Sequence, residues 1–167
     1  MLDPLNVVAH SYLGGALSHV RRYSEAIAAY NDAETLDASG RNTYSAEIGF
    51  VHLLLGDYES ARSSCEKRPE KDNNQFCLAI AYDKLGRHAD AEAMLAKSRA
   101  TDGDTGATAY SVIYARSGNT APALDWLDTA ARLRAPSLEL LKGPWFDPLR
   151  NEPRYQAVER ALKFPSD

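Results

Sequence analysis

Cysteine is scarce in this chain: two residues in 167 leave little from which to build a metal cluster or a disulfide scaffold. They stand at positions 65 and 77, a gap that follows no metal-binding or redox spacing. Both fall at apolar-phased positions of predicted helices, so buried, reduced thiols are expected, a state that suits a cytoplasmic setting. No apolar run approaches the ~18 residues that a membrane span requires. The opening stretch MLDPLNVVAHSYLGG has neither the basic flank nor the apolar centre of a signal peptide. Positive charge is in deficit too. A net charge of −4 supplies no global attraction for nucleic acid or an anionic membrane, so neither is expected as a partner. No alternating apolar run bounded by turn residues is present, and with it goes the expectation of any strand.

Catalytic constellations are missing as well. The chain has no glycine-rich loop ending in Lys-Ser or Lys-Thr, no dinucleotide glycine triplet, no His-Glu-x-x-His and no Gly-x-Ser-x-Gly. An enzyme is therefore not expected, and neither is a cofactor. Of the four histidines, His10 and His52 fall on inward helical positions, where packed and hydrogen-bonded side chains are expected. His19 is placed toward a groove and His88 at a turn, and none pairs with a second ligand at metal spacing. TDGDTG at 101–106 offers Asp102 and Asp104, but no later glutamate completes a calcium loop, so it reads as a turn. Arg132, Arg134, Arg150, Arg154, Arg160 and Lys163 make the last quarter mildly basic. Glu139, Asp147, Glu152 and Glu159 dilute that charge into an ordinary solvated face.

What the chain has in quantity is one phrase, repeated. RRYSEA occupies 21–26, GDYESA 56–61, GRHADA 86–91 and GNTAPA 118–123, at spacings of 35, 30 and 32 residues. Each phrase ends in alanine and separates two segments with helical apolar spacing. In the first pair His10, Leu13, Gly14, Leu17 and Val20 precede the phrase, and Ala26, Ile27, Tyr30 and Ala33 follow it. Leu36 to Gly40 then end the second helix. The same order recurs with Ile48, Gly49 and His52 before Ala61 and Cys65, then with Leu78, Ala79 and Tyr82 before Ala91 and Leu95. In the fourth pair Tyr110, Ser111 and Tyr114 lead to Ala123, Leu127 and Ala130. Glycine is expected to end one helix in a left-handed cap, and a polar residue such as Asp57 to start the next. The alanine lets two backbones approach.

A spacing near 34 residues built from helix pairs is the signature of a stacked solenoid. No pair can bury its apolar face alone, so each leans on its neighbours. The boundaries expected are 7–40, 42–70, 72–102 and 104–136. Pro69 and the polar run EKDNN shorten the second pair.

These residues resemble the tetratricopeptide repeat, whose pattern couples a bulky residue and Leu-Gly or Leu-Ala in the first helix with Gly-x-Tyr-x-x-Ala at the turn. YLGGALSHVRRYSEAIAAYNDAETLDAS follows that pattern, with Arg21 in place of the turn glycine and Ala38 in place of the closing proline. In the fourth pair Ser111 fills the small slot and Thr120 the tyrosine slot. The resemblance implies an all-α, right-handed superhelical solenoid of four helix pairs. Leu2-Asp3 precedes Leu36-Asp37 by one repeat length, so LDP is expected to be the tail of a preceding unit. The chain then reads as a fragment of a longer protein, with Met1 added for expression.

Residues 137–167 are expected to cap the stack. SLELLK should form a short helix, GPWFDPLRNEP irregular backbone, and Pro153 should open a last helix with Tyr155, Val158 and Leu162 on one face. Trp145, Phe146 and Leu149 are expected to plug the end. From YARSGNTAPALDWLDTAARL onward the chain also resembles bacterial repeat proteins whose repeats follow a cyclase, kinase or winged-helix regulator domain. That resemblance implies a regulatory segment of a signalling protein.

In such a stack the first helices line a concave groove, which implies a binding face at Ser11, Gly15, Ser18 and His19. It continues through Ala46, Phe50 and Leu53, then Phe76, Ile80 and Asp83, then Thr108, Val112 and Arg116. The subset of the family that clamps a C-terminal carboxylate uses lysines and asparagines in these slots, and they are absent. An apolar protein or peptide segment is the partner implied. The alternatives are covering of the groove by the tail, self-association into a homodimer, and a small-molecule pocket.

Overall fold

A computed structural model describes residues 6–37, 44–135 and 137–162. The expectations at Met1 to Leu5, Ala38 to Gly40, Pro136 and Lys163 lie outside these. Among the described residues there are nine α-helices and no strand. Four pairs follow in order: α1 (Val7–His19) with α2 (Tyr23–Leu36), α3 (Ser45–Leu55) with α4 (Tyr58–Cys65), α5 (Asp72–Lys84) with α6 (His88–Asp102), and α7 (Ala107–Ser117) with α8 (Thr120–Leu133). Helices α3, α5 and α7 lie side by side, each against the next, which is the solenoid arrangement. After α8 come two 3-10 segments, Leu138–Lys142 and Pro144–Leu149, and then α9 (Pro153–Ala161).

The repeated phrase makes the same joint four times. Gly56, Gly86 and Gly118 adopt φ of +78°, +76° and +87°, and Arg21 takes the equivalent place at +64°. In each, the amide of the next residue donates back to the carbonyl five positions earlier: Arg22 to Leu17, Asp57 to His52, Arg87 to Tyr82 and Asn119 to Tyr114, at 2.8–2.9 Å. This backbone closure consumes a carbonyl that the ending helix would leave orphaned. Asp57 caps α4 as expected, accepting from the Ser60 amide at 3.1 Å. The closing alanines, Ala26, Ala61, Ala91 and Ala123, are buried.

Four residues after each alanine comes the side chain that fills the space between paired helices: Tyr30, Cys65, Leu95 and Leu127, all buried. Tyr30 lies over Gly14 so closely that a Cβ there would sit 2.8 Å from the ring. At the second pair the filler is a disulfide. Cys65 and Cys77 are joined, which corrects the expectation of free thiols. The early end of α4 folds the start of α5 back beside it, bringing the two Cα atoms to 6.3 Å, within bridging range. A gap of twelve in sequence carries no information about that distance. The expected cytoplasmic setting thereby loses the thiols that supported it.

Two further expectations change. Val20 was placed on the inward face but is 64 % exposed, because α1 ends one residue before it. SLELLK forms the expected short helix, of the 3-10 type, while PWFDPL, expected to be irregular, winds into a second 3-10 segment. Pro144 stands where a helix start needs no amide donor, and Pro148 costs only one bond of a short 3-10 turn. The cap at Pro153 is as expected, with Tyr155 and Val158 buried.

Candidate functional site

The tail reaches further than a plug. Phe146 and Leu149 are fully buried against the main apolar cluster, and the Pro144–Leu149 segment packs on α7. Trp145 turns toward α3, where its ring meets Phe50 edge-on with centroids 5.4 Å apart. Asp147 then accepts two bonds from the Arg21 guanidinium, at 2.8 and 3.0 Å, across 126 residues of sequence. Arg150 donates to the same carboxylate at 2.8 Å and to the carbonyls of Lys142 and Gly143. The two guanidiniums hold Asp147 below the ordinary aspartate range, against a burial effect that works the other way. The tail thus runs from the fourth pair past Phe50 of α3 to the turn after α1.

That crossing converts part of the groove into a cavity of about 400 Å³. Its lining comes from Phe50 of α3, Asn73, Phe76 and Ile80 of α5, and Thr108, Ala109, Val112 and Ile113 of α7. Leu140 and Trp145 form the wall on the tail side, with Ser137 beside them. Asp102, Thr105 and Gly106 complete the rim where α6 turns into α7. The lining is mostly aromatic and aliphatic, with polar side chains from Asn73, Asp102, Thr105, Thr108 and Ser137.

Five residues expected in a binding groove, Phe50, Phe76, Ile80, Thr108 and Val112, therefore line one cavity. The others do not join them. Ala46 and Leu53 are buried in the packing between helices. Ser11 and Ser18 bond to carbonyls of their own helix, Val8 and Gly14, and Gly15 lies near the Tyr30 hydroxyl. Asp83 pairs with His88 at 3.0 Å. Arg116 reaches toward the Leu53 carbonyl at 3.5 Å, and exposed His19 lies beside Gly143 of the tail. Leu140, Trp145, Asn73 and Ser137 were missed as cavity residues. Covering of the groove by the tail was one of the alternatives, but no periodicity marks the tail's path, so the sequence did not say which of its residues would do so.

The histidines differ from expectation in one respect. His10 and His52 are largely covered, but their nearest carboxylates, Asp32 and Asp57, stand at 3.6 Å, beyond a hydrogen bond. TDGDTG makes the end of α6 and a 3-10 turn, and no group of three or more potential metal ligands occurs among the described residues. Three basic residues of the tail stand beside carboxylates: Arg150 beside Asp147, Arg154 beside Asp125 and Asp128, and Lys142 3.9 Å from Glu159. No described helix is long and apolar enough to cross a membrane.

Residues 75–97, spanning most of α5 and the first part of α6, match the family described as tetratricopeptide repeat. The match supports a protein of that type, a family whose members generally bind protein partners and are generally not catalysts. No curated protein and no solved structure matches the chain.

Proposed function

We propose that this chain is a non-catalytic scaffold that binds a protein segment in the cavity bounded by Phe50, Phe76, Ile80, Val112 and Trp145, as the regulatory part of a larger bacterial signalling protein. The observation that carries the reading is the cavity itself: a largely apolar space of about 400 Å³ lined by α3, α5, α7 and the tail. Apolar contact contributes ~25 cal/mol per Å² before ordering costs, so a few buried side chains supply most of the affinity. Panning a displayed peptide library on the wild-type chain, with Phe76→Asp as the counter-selecting variant, tests it. Enriched peptides should lose at least tenfold in affinity to the variant while its helical circular dichroism is unchanged. Peptides that bind both proteins equally would remove the cavity from the reading.

A second reading, self-association, is favoured by α1. Val8, Tyr12 and Val20 are exposed at four- and eight-residue steps with exposed Ala16 between them, which makes an apolar stripe along α1 and its C-terminal end. Sedimentation across concentration checks it: a dimer that Tyr12→Glu dissociates supports pairing through α1, and a monomer at high concentration eliminates it.

A further inference from the structure

The four joints put the first helices of the pairs into register. Nine positions before the left-handed residue of each joint stand Tyr12, Glu47, Cys77 and Ala109, and five positions before it stand Ala16, Val51, Ala81 and Ile113. From the second pair onward these positions are covered or partly covered. Val51 belongs to the apolar cluster of the first pair, with Leu17, Ala29 and Tyr30. Cys77 is bonded to Cys65 of α4. Ala81 and Ile113 are 0 % and 4 % exposed, on helices that pack against α3 and α5 in turn. At the first pair the same positions are open. Tyr12 is 77 % exposed, Ala16 is exposed, and Val20 at 64 % continues the row.

Charge and the two ends of the stack narrow the choice of occupant. Val7–His19 contains no Asp, Glu, Lys or Arg, whereas every other α-helix among the described residues contains at least one. Such a neutral face suits an apolar helix surface rather than a charged ligand. A second copy has no open second helix to offer from its far end. There α8 is covered by α9, with Tyr155 and Val158 buried and Arg154 paired to Asp125 and Asp128. The sequence ahead of α1 supplies the remaining indication. Leu2-Asp3 begins 19 residues before Arg21, much as Leu36-Asp37, where α2 ends, begins 20 residues before Gly56.

We propose that α1 is an internal helix of the stack. Its Tyr12, Ala16 and Val20 face is the docking surface for a further helix pair of the same polypeptide, encoded ahead of Leu2, which covers α1 as α2 covers α3. Each unit of a solenoid gains its stability from such a neighbour. The proposal is independent of the cavity and competes with self-association for the same face.

Hydroxyl-radical footprinting tests it on two proteins, the 167-residue chain and the same chain extended by the segment that its gene encodes ahead of Leu2. In the extended chain, labelling of Tyr12 should fall about fivefold, as its exposure drops toward that of Val51 and Ala81. Tyr12→Glu should change the melting temperature of the 167-residue chain by less than about 1 °C, since the side chain stands in water there. In the extended chain it should lower the melting temperature by about 5 °C or more, because a carboxylate is forced into an apolar contact. Equal labelling of Tyr12 in both proteins overturns the proposal, as does an equal loss of melting temperature. An extension that adds no helical circular dichroism overturns it too. If Tyr12 is already protected in the 167-residue chain, within a dimer that Tyr12→Glu dissociates, the occupant is a second copy and the proposal is wrong. None of these results touches the cavity reading, which the Phe76→Asp selection decides separately.

Discussion

Gly49 of α3 shows how little room a single position leaves. A Cβ there would collide with both sulfurs of the Cys65–Cys77 bridge and sit 3.3 Å from the Ala61 carbonyl. Gly49→Ala should therefore destabilise the fold by about 1–3 kcal/mol, the usual consequence of overpacking a filled core, and urea titration measures it. Arg21 is constrained in a different way. It occupies a left-handed backbone region that glycine adopts at the other three joints, so Arg21→Gly should melt above Arg21→Ala although both lose the bonds to Asp147. Glu47 is a third case. Burial, aided by the nearby Glu34 charge, raises its carboxyl above the ordinary value of 4.5. The charged form is thus disfavoured in the folded state, which lowers stability once pH rises above 4.5, and the penalty vanishes as pH falls below that value. Glu47→Gln should then raise the melting temperature at pH 7, with the gain over wild type shrinking as pH is lowered to about 4.

At the scale of elements, the shortened α4 and the bridge belong together. An eight-residue helix supplies little apolar face, and the bridge fills the slot that Tyr30 fills in the first pair. It also limits the unfolded chain. Replacing both cysteines by alanine, or reducing the bridge, should cost about 2–4 kcal/mol by urea titration. Thiol labelling of the native protein should find no reactive cysteine. The pairing was not legible in the sequence, because helical phasing showed that both residues are buried but not that they face one another. The four joints were legible, because a left-handed cap needs glycine or a tolerated substitute, a local demand. The 3-10 turns of the tail were not: three prolines exclude a regular α-helix without saying what replaces it.

On the scale of the whole molecule, the first pair packs its apolar face on Ile48 and Val51 of α3. Leu17, Ala26, Ala29, Tyr30, Ile48 and Val51 form an apolar cluster of their own, separate from the larger one that runs from Leu53 to Val158. The Arg21–Asp147 contact ties this pair to the tail, and both partners are partly exposed, so its worth is modest. Asp147→Asn should speed hydrogen exchange in α1 and α2 about two- to fivefold, while α5 to α8 stay unchanged. Uniform protection in the variant would show that the contact holds nothing.

The helix pairs, their left-handed joints and the inward alanines follow from the sequence by itself, because each depends on residues within one or two turns of each other. The disulfide, the tail's passage to Arg21 and the cavity that it walls depend on residues 12 to 126 positions apart. Only the stacking angles of successive pairs bring those groups together. Periodicity records which face of a helix is apolar, but not which distant segment comes to cover it.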